Sequence, residues 1–366
     1  VRDREPDTEP GGASGTEPPA PRLLRRWDLG DAREIVALPG DGPHRAWRVE
    51  TGAGTVLLKR YGDADRRRVL FEHSVTTALD AAGLPVPAPV PARTGRTLVQ
   101  AERRAYALYP WTEGTRRGGL ELSLDQCHRL GELLGRLHAE LDRLTPPVQQ
   151  SLLVPTSRAA DTVAAVDRLL AALPDDGDDF DALAGRRLRE RRALLEELTD
   201  HQPPEVEAFA VGYVHGGFHA QNLLYGRTRQ VAAVVGWGGL RVAPFAGDLV
   251  RAAVALFAGY GDERGLDLDR VESFVRGHRA AFPLDAGQLC SAVHRLWWEH
   301  LCDLGPLRRH YLERHLERGA GRDHLLPADV ALVAWWTAHL DRTLDVFAAP
   351  YTAADRQEQA GHLDGP

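Results

Sequence analysis

With 366 residues, 43% hydrophobic and 27% charged, the chain has the make-up of an ordinary globular protein and the length for two core-bearing units. A formal net charge of -7 argues against a nucleic-acid-binding surface, which needs excess basic residues to displace counterions, and leaves small molecules or proteins as the expected partners. No apolar run reaches the roughly eighteen residues of a membrane span, the N-terminus is acidic and proline-rich rather than signal-like, and Cys127, Cys290 and Cys302 suit neither a disulfide framework nor a CxxC metal site, so a cytoplasmic protein is expected.

Residues 1–22 combine Pro, Gly, Glu and Asp with almost no apolar content and predict a disordered tail, because they cannot offset the entropy of ordering. Residues 23–110 predict a small unit. REIVALPG and RAWRVETGAGTVLLKRY read as hairpin strands around Gly-containing turns, and Asp65 to Ala82 carries helical apolar spacing through Val69, Leu70, Val75 and Leu79. Gly83 ends that helix, and Leu98 to Pro110 returns to strand character. A connector near Tyr109 to Gly114 leads into residues 111–350, which read mostly as helix: LDQCHRLGELLGRLHAELDRL is amphipathic, and RAADTVAAVDRLLAAL and DALAGRRLRERRALLEELTD follow it. Strand-like runs around Tyr213 and at Val231 to Val235 interrupt the helices. HRLWWEHLCDL and ALVAWWTAHLDRTLDVF are helical again, and residues 351–366 read as a frayed end.

A shortage singles out two residues. Lys59 is the only lysine among 45 basic residues, Asn222 the only asparagine and Ile35 the only isoleucine, and methionine is absent, the signature of a GC-rich genome. Arg replaces Lys on a surface, but it does not supply the compact charge that a phosphate pocket uses.

VLLKRY places Lys59 near a strand end, with Glu72 in the helix that follows. LGELLGRLHAEL, containing His138, opens the larger unit. In VHGGFHAQNLLYGRTRQVAAVVGWGGLRVAPFAGDLVRAA, His215, Gly216, Asn222, Leu223, Leu224, Trp237, Pro244, Asp248 and Leu249 fall at a characteristic spacing. Together these segments resemble the aminoglycoside phosphotransferase and choline kinase family, over roughly residues 30 to 345 in layout and most closely between 211 and 252. The resemblance implies an α+β, two-lobed protein-kinase-like fold with a small β-rich N-lobe and a larger, mainly helical C-lobe. It further implies ATP as cofactor, bound by Lys59 and Glu72, with Tyr109 and Trp111 in the connector completing the nucleotide-binding set. His138 reads as a packed histidine and Asp248 as the structural aspartate opening a helix.

Two positions depart from that pattern. Gly217 stands where the family's catalytic-loop Asp orients the substrate hydroxyl, and Gly236 where a second Asp chelates magnesium. No catalytic residue is intact by this reading, and His215 and His219 are poor magnesium ligands beside a carboxylate. Asn222 either braces the loop or contributes to a metal site. The pairs Trp297–Trp298 and Trp335–Trp336 read as core, with an acceptor groove as the alternative, and the acidic run Asp175 to Asp181 reads as a solvated loop.

The expectation that follows is a catalytically degenerate, pseudokinase-like binding or scaffolding subunit in a bacterial specialised-metabolite or modified-peptide pathway. Its partners would be a small molecule or precursor peptide and a partner enzyme, since relatives of this fold phosphorylate precursor peptides in lanthipeptide-type pathways. The alternatives are an ATP-dependent phosphotransferase with altered metal use and a nucleotide-binding module without chemistry.

Overall fold

The computed structural model describes residues 21–39, 44–62, 65–101, 103–146, 151–259, 265–312 and 327–349; the expected tail over 1–20 and frayed end over 351–366 lie outside them. The chain divides into two compact units between Glu113 and Gly114. The boundary falls past Pro110 because Trp111 stays tied to the first unit: its N–H donates to Thr55 O and Arg48 stacks over its ring.

The first unit begins with a short helix, α1 (Pro21–Leu24), which takes residues 21 and 22 out of the expected tail. Five antiparallel strands follow, in spatial order β1-β2-β3-β5-β4: β1 (Ala32–Ala37), β2 (Arg45–Thr51), β3 (Gly54–Tyr61), β4 (Val99–Ala101) and β5 (Arg104–Pro110). Between β3 and β4 runs α2 (Arg66–Ala81), started by Asp65, whose carboxylate accepts from the Arg67 N–H. Strand alternation sorts the side chains. Trp47, Val49, Val56, Leu58, Tyr106 and Leu108 form one core with Trp27, whereas Tyr61, Ala107 and Tyr109 join Val69 of α2 in a second. Lys59, two residues from Tyr61, therefore shares the face that α2 covers.

The second unit opens with α3 (Leu124–Leu144), capped reciprocally by Ser123 and Gln126. It continues through β6 (Ser151–Pro155), α4 (Ala159–Ala171), α5 (Asp179–Glu197), β7 (Val206–Val214), β8 (Leu223–Tyr225), β9 (Val231–Val234), β10 (Arg241–Pro244) and α6 (Phe245–Phe257). The remaining elements are β11 (Ala258–Gly259), β12 (Gly265–Leu266), α7 (Leu268–Ala281), α8 (Ala286–Cys302), α9 (Gly305–Tyr311), α10 (Pro327–Ala338) and α11 (Leu340–Ala348). Strands β10, β7 and β6 form an antiparallel sheet in that order, and β8–β9 and β11–β12 are hairpin pairs. Strands β6, β8 and β10 lie in segments whose residues did not separate into strand patterns.

Helices α3 and α7 touch backbone to backbone. A Cβ on Gly131 would lie 2.8 Å from the Phe274 carbonyl carbon, and one on Gly277 would lie 2.8 Å from that of His128, so the glycines of LGELLGRL set the helix spacing. Trp297, Trp298 and Trp336 are fully buried, as core residues, while Trp335 is half-buried and stacked on His339. The acidic run is not a free loop throughout: Asp178 and Asp181 form a capping box that starts α5, because carboxylates satisfy the first N–H groups of a helix. Among the described residues no helix is long and apolar enough to cross a membrane.

Candidate functional site

In the first unit, β3 presents Lys59 and α2 presents Glu72, with Nζ 4.0 Å from Oε1 and side chains 22% and 11% exposed. Burial pulls the lysine below its ordinary pKa, against the pull of Glu72, and pushes the Glu72 carboxyl up against Lys59 and Arg68. The ammonium also lies 4.4 Å from the centre of the Tyr61 ring. Tyr109 turns its side chain into the α2 face, where its hydroxyl is taken up by Tyr61 (2.7 Å) and His73 (3.1 Å). Trp111 donates its indole N–H to Glu113, 2.9 Å away. Tyr61, His73 and their partner Thr97 went unnoticed in the sequence, although Tyr61 lies one same-face step from Lys59 and His73 directly follows Glu72.

In the second unit, β7 delivers the chain to His215 and the loop runs through a 3-10 turn, Ala220–Asn222, into the β8–β9 hairpin. His215 is wholly buried, with Nε2–H donating to Val235 O (2.9 Å) and its ring edge-on to Trp237. Among the described residues its Nδ1 has no partner, and burial lowers its pKa, so the ring is neutral. Asp248 anchors the loop from the first turn of α6: Oδ1 accepts the Gly216 N–H (3.2 Å) and Oδ2 accepts from His138 Nε2 (3.2 Å). His138 Nδ1 in turn meets His278 Nε2 at 2.9 Å. Burial raises the Asp248 carboxyl, but the His138 hydrogen bond and nearby positive charge outweigh it, and the group stays below the usual range. Arg241 completes the brace by donating to Gly216 O and Gly239 O.

The two glycines differ sharply. Gly217 is open: a Cβ there would be 3.5 Å from Asn222 Nδ2 and 3.7 Å from His215 Nδ1, ordinary contact distances. Gly236 is left-handed, at φ +82°, and the space its side chain would need is filled by Asn222, whose Nδ2 would be 2.6 Å from a Cβ, with Cγ and Oδ1 nearer still. That amide donates to Gly217 O (2.9 Å) and meets His219 Nε2 at 3.2 Å. Asn222 thus bridges Gly217 and Gly236 and braces the loop. A hard divalent cation wants several oxygen donors, carboxylates above all. The loop places one amide there, whose Nδ2 donates to Gly217 O and whose Oδ1 is the oxygen it offers a cation, and neither Gly217 nor Gly236 adds a carboxylate. These residues do not fit magnesium.

Residues 34–284 match the phosphotransferase enzyme family. The chain belongs to that family. A search of curated proteins finds no match. Among solved structures, this phosphotransferase-family chain is similar to a spectinomycin phosphotransferase in complex with ADP and spectinomycin (16% identity, 90% of this chain and 96% of that one, TM-score 0.56). It is similar to an amicoumacin kinase with AMP-PNP and Ca2+ (16%, 91% and 93%, TM-score 0.55), and to an aminoglycoside phosphotransferase from Alicyclobacillus acidocaldarius (14%, 96% and 99%, TM-score 0.55). At such identities the likeness establishes the kinase-like fold, and what this family member does has to be argued from its own residues.

Proposed function

We propose that this family member binds rather than phosphorylates. It is a catalytically degenerate, cytoplasmic binding or scaffolding subunit in a bacterial specialised-metabolite or modified-peptide pathway, where it holds a precursor peptide of lanthipeptide type, a small molecule or its partner enzyme. The observation that carries the reading is the Asn222 amide lodged where a side chain at position 236 would stand, beside a bare Gly217. A missing general base costs about 10²–10⁴ in rate. Without a carboxylate at 217 or 236 to hold the metal, the loop does not supply the cation that neutralises charge on the transferring phosphoryl group.

One observation favours a second reading. The Lys59–Glu72 pair is kept in a chain with no other lysine, which suits an ATP-dependent phosphotransferase acting on a small-molecule or peptide hydroxyl with altered metal use. Thermal shift with ATP, with and without magnesium, on the natural protein and Lys59→Ala separates the two, since a ligand of the folded state raises the melting temperature by mass action. A magnesium-dependent rise lost in Lys59→Ala supports the enzyme. A magnesium-independent rise, or none, combined with capture of precursor peptide or partner kinase in a pull-down, supports the binding subunit.

A further inference from the structure

The helix α2 face of the first unit holds a hydroxyl and imidazole cluster whose place in the fold gives it a task. In the β3–β5 ladder, Lys59 lies opposite Ala107, Tyr61 opposite Ala105 and Tyr109 opposite Leu57. Tyr61 is therefore the next same-face residue along Lys59's own strand, and Tyr109 lies diagonally across from Lys59 on β5, toward the other side. The small alanines leave room for the rings to lean together until their hydroxyls meet at 2.7 Å. From α2, His73 Nε2 reaches both hydroxyls at 3.1 Å, while its Nδ1 lies 2.9 Å from Thr97 Oγ1, just ahead of β4.

Proton bookkeeping closes on one neutral pattern. Nδ1–H donates to Thr97, one hydroxyl donates to the other, and the second donates to Nε2. All three rings are buried, at 3%, 9% and 2% exposure for Tyr61, Tyr109 and His73, so breaking any link strands a polar atom away from water. The residue before His73 is Glu72. A cluster that fixes His73 against β3 and β5 therefore fixes the backbone from which Glu72 reaches Lys59.

We propose that Tyr61, His73 and Tyr109 are positioning residues for Lys59: they clamp α2 onto strands β3 and β5, hold Glu72 at ion-pair distance, and seat the ammonium on the Tyr61 ring without nucleotide or metal. The ligand such a seat prepares for is a phosphate-bearing anion, and the clamp itself stands whether or not the nucleotide reading above does. Glu72, Arg68 and His44 are the other titratable or charged groups at this face, and His44 packs edge-on to Tyr61.

Because Lys59 is the only lysine, reductive methylation with carbon-13 formaldehyde gives one lysine resonance, distinct from the amino terminus, which titrates earlier. Its titration is followed in four proteins: natural, Glu72→Gln, His73→Ala, and the double variant. In the natural background Glu72→Gln should lower the proton affinity of Lys59 by about tenfold, the effect of losing an opposite charge at this distance. In His73→Ala the same substitution should change it less than about threefold, because α2 no longer holds Glu72 in place. Tyr109→Phe, which removes one hydroxyl and keeps the ring, should uncouple the pair in the same way and covers the case where His73→Ala does not fold. His73→Gln, which both accepts and donates, should restore the coupling. An undiminished Glu72→Gln effect in the His73→Ala and Tyr109→Phe backgrounds overturns the proposal, as does its absence from the natural protein.

Discussion

Substituting alanine at Gly217 and at Gly236 tests whether Asn222 truly occupies the space beside Gly236. At Gly217 the backbone is not left-handed and the nearest atoms are 3.5 Å or more from a new Cβ, so Gly217→Ala should be neutral or stabilising by about 0.4–1 kcal/mol through the unfolded chain. At Gly236 the left-handed backbone costs a Cβ-bearing residue about 1–2 kcal/mol. The Asn222 amide, 2.6 Å or less from that Cβ, must also swing away and give up its bond to Gly217 O, about 1 kcal/mol more. Gly236→Ala should therefore lose about 2–3 kcal/mol, a fall of about 4–12 °C in melting temperature for a domain of this size. Urea and thermal denaturation of both variants, with a cycle through Asn222→Gly, measure the parts. In the Asn222→Gly background the cost of Gly236→Ala should drop to the backbone part alone. Equal stability of the two alanine variants, or an unchanged Gly236→Ala cost without the Asn222 side chain, would refute the reasoning.

Three further outcomes are expected. His73 is held neutral, its pKa lowered by burial and by Lys59 to about 4 from 6.5, so its share of stability is fully present above pH 6.5 and is lost as pH falls from about 6.5 to about 4. That loss amounts to at most about 3 kcal/mol, and denaturation across that range should steepen relative to His73→Gln. Trp298 is fully buried and donates its indole N–H to Ser157 O at 2.7 Å, so Trp298→Ala should cost about 3–5 kcal/mol in urea unfolding, while the exposed Leu153→Ala should cost under about 0.5 kcal/mol. Asp248→Ala removes the acceptor of both Gly216 N–H and His138. It should destabilise by about 3–5 kcal/mol and expose the Gly216 amide to hydrogen exchange.

What the sequence made legible was whatever repeats locally. The strand-like run RAWRVETGAGTVLLKRY foretold β2 and β3, and helical spacing foretold α2, α3 and α8. The loop's residue spacing disclosed the family and marked Gly217 and Gly236 as its departures. Contacts between distant segments stayed hidden. Nothing local in Asn222 tells which way its amide turns; that is decided by the left-handed Gly236, fourteen residues on, leaving room for it. The Tyr61–His73–Tyr109 cluster joins three elements through a register that only the folded ladder sets. Strand β6 was missed because SLLVP is short, exposed along most of its length, and paired to a strand more than fifty residues later. The start of α5 was missed because an acidic run serves equally as a solvated loop or a helix cap until the helix behind it is placed.

The most direct test of the central claim is ADP production by the purified natural protein in magnesium ATP, with a screen of peptide and small-molecule hydroxyl acceptors, measured beside Lys59→Ala. Glycine at 217 and 236, with the Asn222 amide filling the space beside Gly236, predicts identical traces for the two proteins, at the level of the buffer alone. Magnesium-dependent turnover by the natural protein that Lys59→Ala abolishes would contradict the account and establish the chain as a working phosphotransferase.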